Sequence, residues 1–240
     1  DRGEQRALSD QPDWVDLQGI DGLWPRLARA HGSSPALDMA HGPAPEQLSF
    51  EQLDQRIAVV AAALARHGIG SSDVVALFAE NGPRWLAVDQ GLMRLGAAAA
   101  VRGSNAPIEE LAFILQDCGA KALVLEDPSL LEPLRDGGAL AGLQFVLLLH
   151  GQPRMGLTAV TQLSWESLMA SAAAVPPRRE PYEGPDSRIA TILYTSGTTG
   201  RPKGVPLSQA NLLHQVRTLG VAVSPRPGER VLSVLPIWHA

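Results

Sequence analysis

Residues 74–125 read VVALFAENGPRWLAVDQGLMRLGAAAAVRGSNAPIEELAFILQDCGAKALVL and alternate short apolar runs with longer amphipathic stretches. The apolar runs predict three buried strands, at Val74 to Ala79, Ala97 to Val101 and Lys121 to Leu125. Pro83 and Pro107 each precede apolar residues at helical spacing, which predicts a helix between successive strands. Runs that are apolar on both faces are typical of a parallel sheet that helices cover on each side.

The same pattern extends in both directions from this stretch. Three further runs predict buried strands, at Phe145 to Leu149, Arg188 to Tyr194 and Val231 to Leu235. Upstream, Ser49 and Gln52 form a capping box before a helical pattern, and Gly68 is placed where that helix must end. The alternation predicts an α/β fold with mostly parallel sheets flanked by helices.

The composition excludes several classes of protein. Twenty basic and twenty-five acidic residues give a net charge of −5 without a long basic run, so nucleic acid is not a predicted partner. The single cysteine, Cys118, rules out an internal disulfide and suits a reducing cytosol, and its place on an apolar helix face predicts a core residue. The apolar runs are too short for a transmembrane segment. We therefore expect a cytoplasmic protein, and the sequence leaves peripheral contact with a membrane open.

Prolines suggest how the chain is divided. Four prolines fall between residues 175 and 185, together with Arg178 and Arg179, and predict an extended connector. We interpret the two arginines as solvated linker charges. The predicted organisation is a first α/β subdomain at 1–174, a connector at 175–187 and the start of a second α/β subdomain at 188–240.

Residues 195–204 read TSGTTGRPKG and directly follow the predicted strand that ends at Tyr194. Glycines let backbone N–H groups turn toward a ligand, hydroxyls donate hydrogen bonds to phosphate oxygens, and Lys203 supplies a positive charge. The stretch predicts a phosphate-binding loop, although a polar turn without function has a similar composition. It differs from the usual P-loop because Pro202 precedes Lys203 and Gly204 follows it.

The twelve residues from Ile192 to Lys203 resemble the phosphate-loop signature of the adenylate-forming superfamily, which includes acyl-CoA synthetases, peptide-synthetase adenylation domains and luciferases. The resemblance implies that ATP binds with Mg²⁺ while a carboxylate attacks the α-phosphorus, and that a thiol then displaces AMP. It also implies a set of phosphate-binding residues: Thr195, Ser196, Gly197, Thr198, Thr199, Gly200 and Lys203. Within this set Lys203 would be catalytic, and Thr195 would also contact the metal.

The rest of the chain resembles the same superfamily over nearly its whole length. Val101-Arg102-Gly103-Ser104 and Leu235-Pro236-Ile237-Trp238-His239 are most similar to long-chain fatty acyl-CoA and acyl-acyl-carrier-protein synthetases of the cyanobacterial and plastid type. This similarity implies a fatty acid substrate and either CoA or acyl carrier protein as the acceptor. It also implies that His239 is catalytic and orients the acyl carboxylate. From spacing alone, His239 is better explained as a strand-end histidine without a ligand, and the resemblance reverses that preference.

The superfamily's adenine- and ribose-binding segments and its mobile C-terminal domain have no counterpart in this sequence. We therefore expect an N-terminal fragment of the large adenylate-forming domain, incomplete at its C-terminal end and inactive alone. Two other functions stay open at this point. One is an adenylating ligase for another carboxylic acid, such as an aryl or amino acid, and the other is a non-catalytic phosphate-binding remnant.

Overall fold

The computed structural model describes residues 16–40, 45–195, 201–223 and 228–236. Its helices are α1 (Leu23–His31), α2 (Phe50–Arg66), α3 (Pro83–Arg94), α4 (Ile108–Asp117), α5 (Leu131–Asp136), α6 (Trp165–Ala172) and α7 (Gln209–Val223). Its strands are β1 (Pro35–Met39), β2 (Glu46–Ser49), β3 (Val74–Phe78), β4 (Ala98–Arg102), β5 (Ala122–Leu125), β6 (Phe145–Leu148), β7 (Thr161–Ser164), β8 (Ile189–Thr195) and β9 (Lys203–Ser208). Within these described ranges, no helix is both long enough and apolar enough to cross a bilayer.

Seven strands form one sheet in the order β7-β6-β5-β3-β4-β8-β9, and β1 pairs with β2 in a separate antiparallel hairpin. Neighbouring strands from β7 to β8 run parallel, and the pair of β8 with β9 is antiparallel. After β4 the chain passes across β3 to reach β5, so the sheet is built in both directions from its centre. The predicted α/β fold with a mostly parallel sheet is confirmed.

The core consists of two apolar layers, one on each face of this sheet. Leu77 of β3 faces one layer, where it packs with Val60 of α2 and Val88 of α3. Its neighbour Phe78 faces the other layer, where it packs with Leu111 of α4. Both strand residues are fully buried, at 0% exposure. Coverage on both faces explains why the central strands are continuous apolar runs in the sequence.

The predicted start and end of α2 and the predicted start of α3 are confirmed. The Ser49 Oγ accepts a hydrogen bond from the Gln52 N–H at 3.2 Å, and the Gln52 Oε1 accepts one from the Ser49 N–H at 2.9 Å. Gly68 follows the end of α2 with a φ of +90°, a conformation that favours glycine. Pro83 is the first residue of α3, where its missing N–H costs no helical hydrogen bond.

The prediction of a strand at Val231 to Leu235 is wrong for the described structure. Residues 228–236 contain no helix or strand, and Val231, Leu232, Val234 and Leu235 are between 72% and 85% exposed. A strand forms only where a neighbouring strand satisfies its backbone hydrogen bonds. No strand in the described part of the chain pairs with this run, so its apolar pattern is not sufficient.

The predicted connector contains no helix or strand between residues 175 and 187. Arg178 and Arg179 are both exposed, as expected for solvated linker charges. The side-chain Nε–H of Arg178 also donates to the Arg94 carbonyl, at 3.2 Å. Its backbone N–H also donates to the Ala58 carbonyl, at 3.0 Å. The division into subdomains stays a prediction, and β8, which follows the connector, pairs with β4 in the seven-stranded sheet.

A buried ion pair joins the N-terminal segment to the start of β8. Asp21 is 1% exposed, and its Oδ1 lies 2.8 Å from the Nη2 of Arg188, the residue before β8. The Asp21 Oδ2 accepts a hydrogen bond from the Tyr182 N–H at 2.8 Å. At the start of α7, Gln209 donates its N–H to the Arg188 carbonyl and accepts a hydrogen bond from the Ile20 N–H. Segments distant in sequence are therefore fixed together at the amino end of β8.

Replacing Asp21 by alanine should lower the free energy of unfolding by about 3 kcal/mol, because Arg188 and the Tyr182 amide would lose a buried partner. Asp38→Ala is the matched control, since the Asp38–Arg230 pair lies at the surface with side chains 36% and 74% exposed. Loss of such a pair costs at most about 1 kcal/mol. Urea unfolding of both variants measures the difference. Equal losses would contradict the importance of the Asp21–Arg188 pair.

Asp89 predicts a pH dependence of stability. It is 5% exposed, and burial raises the pKa of its carboxyl to about 7, against the opposing hydrogen bond from the Gln90 amide. The native state therefore keeps a proton that the unfolded chain releases near pH 4, so this group lowers the free energy of unfolding as the pH rises toward 7. In urea unfolding, the stability of Asp89→Asn relative to wild type should increase by up to about 1.4 kcal/mol per pH unit between pH 5 and 7. A difference that is constant with pH would refute this assignment.

Candidate phosphate-binding site

The predicted phosphate loop connects the last two strands of the sheet. β8 ends at Thr195, β9 begins at Lys203, and these two residues are partners in the antiparallel ladder. Six other residues of the predicted site lie outside the described residues: Ser196, Gly197, Thr198, Thr199, Gly200 and His239. Within the described ranges, the structure therefore brings together Thr195 and Lys203.

Thr195 and Lys203 are both exposed. Residues opposed in an antiparallel ladder have Cβ atoms roughly 4.5–5.5 Å apart, so the hydroxyl and the ammonium can reach the same phosphate group. Lys203 forms no ion pair with any of the described residues. A positive charge beside a hydroxyl, both open to solvent, is suited to binding an anion.

The pair lies at the edge of the sheet where doubly wound proteins bind ligands. Thr195 is at the carboxyl end of β8, which runs parallel to β4. At the same edge, the Ser104 N–H and Oγ–H donate to the Glu80 Oε1 at 3.1 and 3.2 Å, and the Glu80 N–H donates to the Glu126 Oε2 at 2.9 Å. The cleft beside these groups has a volume of about 40 Å³. A small-molecule pocket has at least roughly 300 Å³, so this cleft is too small to be one. The hydrogen bonds of Glu80 and Glu126 connect the loops that follow β3, β4 and β5.

The segment that leads toward His239 also contacts this edge. The Asn81 Nδ2–H donates to the Leu235 carbonyl at 2.8 Å, and Asn81 follows β3. This hydrogen bond places Leu235 beside the carboxyl end of a central strand. The role of His239 in binding a carboxylate stays a prediction.

Tyr194 was not singled out from the sequence, yet it directly precedes the site. It is 4% exposed, and its phenol O–H donates to the Asp117 Oδ2 at 2.7 Å. Burial and this hydrogen bond raise the pKa of Tyr194, so the phenol remains a protonated donor. The sequence does place a tyrosine in an apolar strand, and a buried phenol requires a hydrogen-bond partner. The identity of that partner is not readable from sequence, since Asp117 is 77 residues away.

Mg²⁺ as a cofactor, and Thr195 as its contact, stay predictions. No group of three or more His, Cys, Asp or Glu side chains in the described ranges is arranged to hold a metal ion. Mg²⁺ usually keeps several waters and combines one or two protein oxygens with phosphate oxygens. The Thr195 hydroxyl has the right chemistry to supply one such protein oxygen.

Cys118 is not suited to nucleophilic catalysis. It packs against the apolar layer that contains α4, as predicted for a core residue. Burial raises the pKa of its thiol to about 11. Because the thiolate is the reactive form, this shift lowers its reactivity at neutral pH.

Comparison with curated proteins identifies two relatives from Arabidopsis thaliana. The chain is 37% identical over 251 residues to "Probable acyl-activating enzyme 16, chloroplastic", a match that covers 98% of this chain and 34% of the relative. It is 36% identical over 241 residues to "Long-chain-fatty-acid--[acyl-carrier-protein] ligase AEE15, chloroplastic", covering 94% of this chain and 33% of the relative. The chain thus spans about a third of the length of these relatives.

Solved structures show the same fold. The long-chain-fatty-acid-CoA ligase FadD1 from Archaeoglobus fulgidus matches with a TM-score of 0.78 at 21% identity, over 92% of this chain and 42% of that one. The anthranilate CoA ligase AuaEII in complex with anthranoyl-AMP matches with a TM-score of 0.73 at 24% identity, over 89% of this chain and 38% of that one. The family model "AMP-binding enzyme" matches residues 25–240. Since that match covers nearly the whole described chain and the signature of residues 192–203 agrees with it, the chain belongs to the AMP-binding enzyme family.

Proposed function

We propose that this chain is the phosphate-binding N-terminal part of an ATP-dependent acid–thiol ligase that activates a long-chain fatty acid. In the proposed reaction, the fatty acid carboxylate attacks the α-phosphorus of ATP, pyrophosphate leaves, and an acyl-adenylate forms. The thiol of CoA or of acyl carrier protein then takes the acyl group, and AMP is released. This activity belongs to a protein of the length of the relatives, and the 240-residue chain alone is expected not to form acyl-adenylate.

The observation that carries this proposal is the exposed cross-strand pair of Thr195 and Lys203 at the two ends of segment 196–202. Membership of the AMP-binding enzyme family supports ATP as the nucleotide. A fatty acid as the substrate is supported by the ligase AEE15 and by "Long-chain-fatty-acid--CoA ligase FadD15" of Mycobacterium tuberculosis, which is 29% identical over 96% of this chain and 35% of its own length.

The proposed contribution of these residues is electrostatic. Lys203 lies against the β- and γ-phosphates and offsets the negative charge that develops on pyrophosphate as it leaves. The Thr195 hydroxyl donates to a phosphate oxygen or contacts Mg²⁺ through its oxygen. Ser196, Gly197, Thr198, Thr199 and Gly200 are proposed to provide further N–H and hydroxyl donors. Mg²⁺, when bound, neutralises part of the triphosphate charge.

On the carboxylate side, His239 is proposed to orient the fatty acid. Leu235, four residues before His239, accepts a hydrogen bond from Asn81 at the carboxyl edge of the sheet. A carboxylate misplaced by about 1 Å would lose on the order of a hundredfold in rate, so an orienting group is required. The proposed location is a reducing compartment such as the cytosol, in keeping with a single half-buried cysteine.

The direct test is ATP–pyrophosphate exchange by the full-length protein with palmitate, with benzoate and with an amino acid mixture. Exchange that depends on palmitate is expected. Exchange with benzoate or amino acids and not with palmitate would assign the enzyme to another acid. Binding of ATP without exchange for any acid would favour the non-catalytic remnant.

Lys203→Ala should lower fatty-acid-dependent exchange about a hundredfold, because loss of one electrostatic contact in the transition state costs on the order of 3 kcal/mol. Lys203→Arg should restore little, since a planar guanidinium does not replace a compact ammonium next to a close backbone turn. The control is Lys121→Ala, which removes the other lysine of the chain, whose Nζ lies 2.7 Å from Asp73. An exchange rate in Lys203→Ala equal to that of the control would remove Lys203 from the site.

A further inference from the structure

The carboxyl end of β8 extends beyond its pairing with the sheet. The parallel ladder between β4 and β8 ends with the pair of Val101 and Leu193. Tyr194 and Thr195 therefore continue past the last paired residue on that side. On their other side they pair with Gly204 and Lys203 of β9, which is the edge strand. Backbone pairing therefore holds this strand end on one side only, against an edge strand, and such ends open locally more easily than the centre of a sheet.

The side chain of Tyr194 provides a further contact. Its O–H donates to the Asp117 Oδ2 at 2.7 Å, and Asp117 is the last residue of α4, which packs against the sheet. The ring of Tyr194 lies over Gly204, where an added Cβ would be 3.1 Å from the ring carbon Cζ. The close approach of ring and glycine lets the phenol reach α4. The hydrogen bond thus connects the end of β8 to a helix through neither of its neighbouring strands.

We infer that the Tyr194–Asp117 hydrogen bond positions Thr195 and Lys203 to bind the triphosphate of ATP. The inference rests on the proposed function and adds two positioning residues to it. Tyr194 and Asp117 do not contact the phosphates themselves. They act by fixing the backbone at Thr195, which in turn fixes the distance between its hydroxyl and the ammonium of Lys203.

The hydrogen bond can be removed with little change to the packing of the core. Its acceptor Asp117 is exposed, and the buried ring of Tyr194 can be kept when its hydroxyl is removed. Tyr194→Phe retains the ring and removes the hydrogen bond. Asp117→Ala removes the acceptor, and Asp117→Asn keeps an oxygen acceptor. The matched control is Thr191→Val, which removes a buried hydrogen bond to the Ala99 carbonyl from the same strand, at 3.1 Å.

The experiment measures two quantities in the full-length protein: the Kd of Mg·ATP by calorimetry, and kcat/KM in palmitate-dependent exchange. Tyr194→Phe and Asp117→Ala should each lower kcat/KM for Mg·ATP about tenfold and weaken its binding, with KM for palmitate unchanged. Asp117→Asn and Thr191→Val should stay within about twofold of wild type. The double variant of Tyr194→Phe and Asp117→Ala should be no worse than either single one, since both remove the same bond.

The outcomes separate this inference from the proposed function. If wild type catalyses exchange and Tyr194→Phe behaves like Thr191→Val in both measurements, the inference is overturned and the function stands. If wild type binds Mg·ATP without exchange and Tyr194→Phe weakens that binding, the function fails and the positioning role stands. If wild type neither binds Mg·ATP nor catalyses exchange, both are overturned.

Discussion

The buried ion pair between Asp21 and Arg188 fixes the amino end of β8, the strand that leads to the candidate phosphate-binding site. Taking two charges out of water is costly, so each must keep its partner in the native geometry. A second buried pair lies close by, where the Arg94 Nη2 is 2.8 Å from the Asp54 Oδ1 and 3.4 Å from the Asp21 carbonyl. These pairs connect the N-terminal segment, α2, α3 and the connector at the end of the sheet opposite the site.

The two ends of β8 are therefore held in different ways. The amino end is fixed by buried charges around Arg188, and the middle is fixed by the parallel ladder with β4. The carboxyl end leaves that ladder. Among the described residues it is held by the pairing with β9, by the packing of the Tyr194 ring in the apolar layer, and by the hydrogen bond from Tyr194 to Asp117. A candidate site at the end of a strand combines a rigid support with backbone groups free to face a ligand.

The central strands and their helices were predictable because the information is local. An apolar run such as 74–79, followed by a proline and a helical pattern, specifies a buried strand and the helix after it. The run at Val231 to Leu235 has the same local pattern but forms no strand, because a strand also needs a neighbouring strand to pair with, and the local sequence does not show whether one is present. β7, with the sequence Thr161-Gln162-Leu163-Ser164, was missed for the opposite reason, since its polar pattern gives a weak local signal.

For the site, residue chemistry was predictable and geometry was not. The signature of residues 192–203 names hydroxyls, glycines and a lysine, but it does not state that Lys203 lies opposite Thr195 in a hairpin. The partners Asp117 and Asp21 are missing from any local pattern, because each acts on a residue far away in the chain. Such contacts arise only when the sheet has assembled.

The register of the β8–β9 hairpin determines how the lysine of the candidate site is placed. In the usual P-loop the lysine lies at the start of a helix, whereas Lys203 is the first residue of an edge strand. A slip of one residue would turn the Lys203 side chain to the other face of the sheet, away from Thr195. Gly204 pairs with Tyr194, where an added Cβ would lie 3.1 Å from the ring carbon Cζ, so a glycine suits this position. The observed register therefore places a glycine opposite the ring of Tyr194 and Lys203 opposite Thr195.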